Sequence, residues 1–419
     1  MSFSDLLPPF DQRGMDLSLD RMERALADLG HPCQTVPAVQ VVGTNGKGSI
    51  ASFVHSGLVA AGIRTGLTTS PHLVEWTERI RVNHAQISTT ALRCRLEALQ
   101  PVAARQRLTP FELLITAALE HFAAEQVSWL VLEAGLGGRL DATTAHPNRP
   151  LLAVAAIGLD HCEHLGHSLT AVAHEKAAAI QPGAVVISAP QPQEVVTVLS
   201  ARAQAMNAEL QWVEPLDATW TLGLPGEHQR SNAAVAKAVL ERIQAMGWPI
   251  AMPAIRTGLA ETRWPGRLER MSWRGHDVLI DGAHNPPAAE VLRRERRHWR
   301  NAEQGITWIL AIQAHKEAPA MLRTLLEPQD QAWIVPVPGH RSWTRSMLLQ
   351  EHPTWSDQLL ELPATAVEQH QNDAVIQVLE QLERQGWPTA MPVIAGSLYL
   401  IGELLGNRAL ERSPRALMT

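Results

Sequence analysis

The run Val39-Gln40-Val41-Val42 feeds directly into Gly43-Thr44-Asn45-Gly46-Lys47-Gly48-Ser49, and behind it Ile50, Phe53, Val54, Gly57 and Leu58 recur at helical spacing. An apolar strand, a glycine loop and an amphipathic helix in immediate succession form a βα unit whose loop is shaped for phosphate. Glycines let backbone amides approach phosphate oxygens, and the helix N-terminus adds positive potential. Lys47 offers a compact charge for the β- and γ-phosphates, and Ser49 a hydroxyl for phosphate or metal. Gly62 is placed to end the helix. The loop departs from the common nucleotide-binding form: Gly48 separates Lys47 from Ser49, and Gly43 lies only three residues before Gly46. An ordinary glycine turn is the plain alternative, but the flanking strand and helix favour a mononucleotide site.

The rest of the chain repeats this alternation. Apolar strand-like runs at 39–42, 65–69, 127–132 and 151–157, then at 278–280, 306–311, 332–335 and 392–395, alternate with helical patterns, which reads as α/β with largely parallel sheets. With 419 residues, about two or three domains are expected. The weakly patterned Pro/Gly stretch at 263–266 is the best linker, so the domains are expected at 1–262 and 263–419. Hydrophobic residues at 45% and charged residues at 19% supply a core and exclude a disordered chain. A net charge of -6 provides no basic field, so neither nucleic acid nor a membrane is an expected partner. No apolar run reaches membrane-spanning length, the first residues lack a signal pattern, and Cys33, Cys94 and Cys162 do not make a disulfide framework. These features point to the reducing cytoplasm. The basic run from Arg293 to Arg300 reads as a solvated helix face rather than an RNA patch. His315 and Lys316 follow a strand, with no role assigned.

In open parallel sheets, ligands gather at the carboxyl ends of strands. Ser70, Glu133, the pair Asp160 and His161, and Asp281 all fall at such ends. Mg²⁺ with a nucleotide needs one or two protein oxygens, and Ser70 and Glu133 meet that demand. Each residue taken singly is also compatible with a turn or cap. The crowded segment Asp160-His161-Cys162-Glu163-His164-Leu165-Gly166-His167 has no second cluster at zinc-finger spacing. It reads as part of the nucleotide site or as a solvated turn.

Of the 36 basic residues only Lys47, Lys176, Lys237 and Lys316 are lysine. In a helix over 168–180, Lys176 shares the apolar stripe with Leu169, Val172, Ala173 and Ile180. Either its stem is buried and its head reaches water, or the amine itself is buried. A buried amine has a lowered pKa, is free near neutrality, and can react with carbon dioxide to give a carbamate, which arginine cannot do.

These residues together resemble the folylpolyglutamate synthase/dihydrofolate synthase family of the Mur ligase superfamily. The resemblance runs from the phosphate loop through Ser70-Pro71-His72-Leu73 with Glu78-Arg79-Ile80 and Asn83, then Glu133 to Thr143, Leu159-Asp160-His161 and Glu175-Lys176-Ala177. It continues through Asn232-Ala233-Ala234, Pro265-Gly266-Arg267 and Asp281-Gly282-Ala283-His284-Asn285-Pro286 to Gly396-Ser397-Leu398-Tyr399. It implies an N-terminal Mur-ligase-like nucleotide-binding domain and a smaller C-terminal Rossmann-like domain. It implies ATP contacts from Thr44, Asn45, Gly46, Lys47, Gly48, Ser49, Asn232, Arg267 and Asp281. Ser70, Glu133 and His161 would hold two Mg²⁺ ions, although histidine is an unusual ligand for a hard cation. Lys176 would be the carbamylated lysine. Pterin and benzoate contacts would come from Gly14, Met15, Asp16 and Leu17, from Thr109, Pro110, Phe111 and Glu112, and from Leu140, Asp141 and Ala142. His84 stands where a glycine is usual, and Ala177-Ala178-Ala179-Ile180 where Ala-Gly-Ile is usual.

The implied reaction is ADP-forming. A pteroyl carboxylate attacks the γ-phosphate of ATP, and the amine of L-glutamate then displaces phosphate from the acyl phosphate. Lys47, Lys176, His161 and Arg267 would be the catalytic groups, with two substrates expected, dihydropteroate and reduced folates. Closure about the 263–266 linker would exclude water from the acyl phosphate. The alternatives are a folylpolyglutamate synthase alone, a peptidoglycan amino-acid ligase, a P-loop ATPase or a nucleotide-binding regulator. A monomer is expected.

Overall fold

The computed structural model describes residues 3–7, 18–362 and 374–413. The chain forms two compact units, Met1–Leu224 with His228–Trp264, and Pro225–Glu227 with Pro265–Thr419.

In the first unit the described strands are β1 (Ala38–Val42), β2 (Thr65–Thr68), β3 (Ile80–Val82), β4 (Ala85–Gln86), β5 (Trp129–Glu133), β6 (Leu151–Val154), β7 (Val185–Ser188) and β8 (Glu209–Trp212). They line up as β4-β3-β2-β5-β1-β6-β7-β8. The strands from β2 to β8 run parallel, and β3–β4 is an antiparallel edge hairpin. From β1 the chain goes to one side for β2 and β5 and to the other for β6 to β8, so the crevice at the ends of β5, β1 and β6 is where ligands gather.

Helices cover both faces. On one lie α1 (Leu19–Asp28), α3 (Thr89–Gln106) and α4 (Pro110–Ala124). On the other lie α2 (Lys47–Ala60), α8 (His228–Ala245) and α9 (Met252–Glu261), while α6 (Leu169–Ala177) and α7 (Gln193–Ala205) pack beside β6 and β7. Burial on both faces explains why β1, β5 and β6 read as continuous apolar runs. Helices α2 and α9 meet backbone to backbone: a Cβ on Gly258 would lie 2.5 Å from Gly57 Cα.

The second unit holds β9 (Glu269–Trp273), β10 (His276–Ile280), β11 (Thr307–Leu310), β12 (Gln331–Ile334), β13 (Leu359–Leu360), β14 (Val393–Ala395) and β15 (Glu411–Arg412), in the order β13-β12-β11-β14-β10-β9-β15. Strands β9 and β15 are antiparallel to their neighbours; the others run parallel. Arg274 and Gly275 (φ 49° and 85°) turn the β9–β10 hairpin.

Two expectations change. The run 151–157 is strand only to Val154. The basic run is not one solvated face. Arg293 and Arg294 pair outside with Glu290, whereas Arg296 is buried and ion-paired with Asp330. Asp330 also accepts from Ile306 N, Trp308 Nε1 and Glu327 N. Among the described residues, no helix is long and apolar enough to cross a membrane.

Candidate active site

The phosphate loop is braced before it reaches α2. Thr44 N and Asn45 N both donate to Ala156 O (2.8 and 3.2 Å). Thr44 Oγ1 donates to Gly158 O and accepts from Gly158 N (2.8 and 3.0 Å). This use of 156–158 is why β6 ends early. Of the expected nucleotide ligands, Thr44 and Asn45 therefore spend their amides on loop shape. Gly46 (φ 95°) turns the chain into α2, which begins at Lys47. The first amides of that helix lack intrahelical acceptors and form the anion-facing surface. Lys47 Nζ donates to Thr44 O (3.1 Å), and Ser49 is buried. Asn232, on the first turns of α8, lies against the loop: a Cβ on Gly46 would stand 2.6 Å from Asn232 Oδ1. Its Nδ2 donates to Gln229 Oε1 (2.9 Å).

Lys176 is 3% exposed, and its Nζ donates to Gly43 O (2.8 Å), at the mouth of the same loop. The amine is buried, so the snorkelling alternative drops out. Burial, helped by the nearby charge of Lys47 and opposed by Asp160, Asp141 and Glu175, brings its pKa down to about 7. The triple alanine does not displace it. Helix α6 ends at Ala177, and Ala179 N and Ile180 N return to Lys176 O and Ala177 O.

The loop after Glu133 holds this lysine from the other side. Arg139 N donates to Glu175 O (3.0 Å), and Arg139 pairs with the Glu175 carboxylate (2.9 Å). Asp141 organises the loop. One carboxylate oxygen accepts from Gly135 N and Leu136 N, the other from Thr143 N and Oγ1. Burial pushes the Asp141 carboxyl up, against the pull of those bonds. Below it, Gln40 on β1 donates to Thr143 and Thr144 and accepts from buried Arg149, which also reaches Ala179 O and His146 O. Nothing in the sequence pattern flagged Gln40 or Arg149, because Gln40 lies about a hundred residues from both Thr143 and Arg149.

Glu133 ends β5, in register with Val41 of β1, and its Oε2 accepts from Ser70 N (3.0 Å). The structure thus brings Glu133 and Ser70 together: a carboxylate and a hydroxyl, the hard oxygen donors that Mg²⁺ takes. His161 sits in a left-handed turn beyond β6 (φ 51°), its ring nitrogens 3.8 Å from the carboxylates of Asp160 and Glu163. Among the described residues, no group of three or more His, Cys, Asp or Glu is placed to hold a metal. Zinc at 160–167 accordingly has no ligand set.

The loop from Ser70 to Asn83 is tied by Glu78, whose carboxylate accepts from Leu73 N, Val74 N and Glu75 N (2.8, 2.8 and 2.7 Å). Arg79 Nε donates to His72 Nδ1 (2.8 Å), and burial, then the Arg79 charge, lowers His72 to about 3. Asn83 supplies the hairpin's left-handed residue (φ 50°), so the position after it, His84, does not need glycine.

Thr109, Pro110 and Glu112 build the start of α4. Thr109 and Glu112 form a reciprocal capping box, Pro110 opens the helix, and Glu112 pairs with Arg21 of α1 at 3.2 Å. Phe111 lies under the loop, its Cζ 2.6 Å from where a Cβ on Gly135 would stand. Leu140, Asp141 and Ala142 lead into a short 3-10 turn capped by Asp141. Gly14, Met15, Asp16 and Leu17 lie outside the described residues.

In the second unit, Asp281 follows β10. It is buried and accepts from Leu268 N (2.9 Å) and Ala283 N (2.8 Å). Arg267 donates to Gly266 O and folds over Gly282, where a Cβ would be 2.5 Å from its Nη1. Asn285 caps α10 (Pro286–Glu295), and Ser397 caps the helix Leu398–Gly406 after β14. Lys316 is buried beyond β11.

A family model described as "Dihydrofolate synthetase, C-terminal domain" matches residues 267–407. Dihydrofolate synthetase of Saccharomyces cerevisiae is 33% identical over 423 aligned residues, covering 93% of this chain and 97% of the relative. Dihydrofolate synthase/folylpolyglutamate synthase of Escherichia coli is 31% identical, covering 83% and 84%. Folylpolyglutamate synthase of Mycobacterium tuberculosis, solved with ADP and AMPPCP, superposes with a TM-score of 0.81 at 28% identity, covering 92% and 94%. Escherichia coli FolC in complex with DHPP and ADP gives 0.81 at 26%, covering 97% and 95%. With its phosphate loop, buried lysine and strand-end carboxylate in place, this chain belongs to the folylpolyglutamate synthase/dihydrofolate synthase family of ATP-dependent ligases.

Proposed function

We propose that the protein joins L-glutamate to the carboxylate of dihydropteroate and to reduced folates, with ATP hydrolysed to ADP and phosphate. The observation that carries this most is the meeting of Lys47 and Lys176 on the carbonyls of Thr44 and Gly43, with Glu133 and Ser70 paired at the ends of the next two strands, β5 and β2. A carboxylate does not lose oxide to an amine. Its oxygen attacks the γ-phosphorus, ADP leaves, and an acyl phosphate forms. The glutamate amine then attacks the carbonyl carbon, and the C–O bond to phosphate breaks. Lys47, the first-turn amides of α2 and Arg267 neutralise charge during phosphoryl transfer, while Asn232 and Asp281 shape the nucleotide site. Mg²⁺, which spreads charge over the phosphates, would be held by Ser70, Glu133 and His161.

The buried Lys176 amine is proposed to attack carbon dioxide, lose a proton and become a carbamate. That places a negative group beside Lys47 in place of a second cation, which removes the repulsion that helps depress Lys176. Asp141, Leu140, Ala142, Phe111, Thr109, Pro110 and Glu112, with Gly14, Met15, Asp16 and Leu17, are proposed to frame the pteroyl group. Asp141 and the capping box act by fixing backbone shape. The enzyme is proposed to work as a cytoplasmic monomer.

Phosphate release with Mg-ATP and L-glutamate tests the proposal, comparing dihydropteroate, tetrahydrofolate and no pteridine. Release with both pteridines is expected. Release with tetrahydrofolate alone leaves only the polyglutamate activity, and release independent of pteridine overturns the ligase reading.

A further inference from the structure

The glycine that makes this phosphate loop irregular has a physical partner far away in sequence. A Cβ on Gly48 would stand 2.8, 2.9 and 2.9 Å from Cζ2, Cε2 and Nε1 of Trp264. The indole therefore lies against the first turn of α2, in the space a side chain at position 48 would take. Trp264 is held there from behind. It packs on the core formed by α2, α8 and α9. The segment leading to it is fixed by Gly223 N donating to Leu259 O (2.8 Å) and Thr262 Oγ1 donating to Gly258 O (2.7 Å).

We propose that Trp264 is the positioning residue of the phosphate loop. Its ring fixes the first turn of α2 so that the amides of Gly46, Lys47, Gly48 and Ser49 face the nucleotide phosphates. Gly48 and Trp264 form one unit: glycine is required at 48 because the indole occupies its side-chain space. Trp264 is also the last residue of the first unit before Pro265, Gly266 and Arg267. The inference rests on the phosphate-loop reading above and adds a residue that no motif in the loop would reveal.

The experiment is a double-mutant cycle on the full chain, read as KM for ATP, KM for glutamate and kcat. Gly48→Ala raises KM for ATP by about tenfold or more with Trp264 present, and by about twofold or less in the Trp264→Ala background. KM for glutamate moves little in either background. Equal effects of Gly48→Ala in both backgrounds overturn the pairing. If Gly48→Ala does not yield folded protein, Trp264→Ala and Trp264→Phe decide the matter. A rise in KM for ATP, larger for alanine than for phenylalanine, supports the positioning role, and an unchanged KM for ATP overturns it. Lys47→Ala separates the two readings. If it binds ATP normally, the phosphate-loop reading itself is wrong. If it loses ATP while the cycle shows no coupling, only the role of Trp264 falls.

Discussion

The two units each end a parallel sheet in polar loops, yet they bury charge for different purposes. In the second unit, Asp281 and Asn285 serve the backbone: Asp281 accepts from Leu268 N and Ala283 N, and Asn285 accepts from Ala288 N. Its buried ion pair, Arg296 with Asp330, lies away from the strand ends that carry Arg267. In the first unit, Lys176 and the strand-end Glu133 are buried, Lys47 is half-buried at the start of α2, and Lys176 is pushed to about 7 by burial and by Lys47. Burial at the phosphate loop shifts an amine that the chemistry would use, whereas the buried pair of Arg296 and Asp330 ties Ile306, Trp308 and Glu327 in place. The first unit is therefore expected to fail chemically, and the second structurally.

The largest effects test that division at the loop. Lys47→Ala and Lys176→Ala are each expected to lower kcat/KM by about a hundredfold or more, a loss of about 3 kcal/mol of transition-state stabilisation, with little change in Tm. Phosphate release gives the first number and calorimetry the second. Acetate is expected to restore part of the Lys176→Ala activity by supplying a carboxylate. Lys176→Arg at normal activity without bicarbonate would sink the carbamate.

Asp330→Asn leaves the buried Arg296 with only the half-exposed carboxylate of Glu327 for countercharge and should cost about 3 kcal/mol. The second unit is expected to melt earlier in urea, with KM values unchanged in the protein that remains folded. A fall in kcat at unchanged stability would break the comparison.

Acid should act on the first unit through His55, His72 and His146, which burial lowers to about 4, 3 and 4. Their folded pKa values lie below the unfolded 6.5, so the unfolded chain binds more protons between about pH 4 and 6.5. Stability is fully present above 6.5 and is lost as pH falls through that window, by about 1.4 kcal/mol per unit for each histidine. A His55→Gln variant should show a shallower dependence in pH-resolved unfolding, and an unaltered slope would remove His55 from the account. The smallest effect is expected from Arg139→Ala. Its ion pair with Glu175 is largely exposed and contributes about 0.5 kcal/mol or less.

Much of this was readable in the chain. The strand-loop-helix around Gly43 to Ser49, the strand-end residues Ser70 and Glu133, and the stripe carrying Lys176 depend on local order, and the fold keeps local order. What was not readable depends on distance. Residues 155–157 look like more strand, and only the fold shows Ala156 O taken by the loop. Arg296 sits in a run of cations whose composition says solvent, but Asp330 waits on another element. Asp141 entered only as a pteroyl contact implied by the resemblance, and its part in shaping the loop, with its oxygens accepting from Gly135 N and Thr143 N, shows only in the fold. Gly48 was visible as an anomaly, and its cause, Trp264, was not.

The crossing of α2 and α9 limits how this sequence can drift. A side chain at 258 would run into the backbone of Gly57, which cannot be trimmed, whereas one at 57 would meet first the Cδ1 of Leu240, which can. Change at 57 is open by way of a smaller residue at 240. Position 258 has no such first step, so a lineage holding this helix pair stays on glycine there while its surroundings vary.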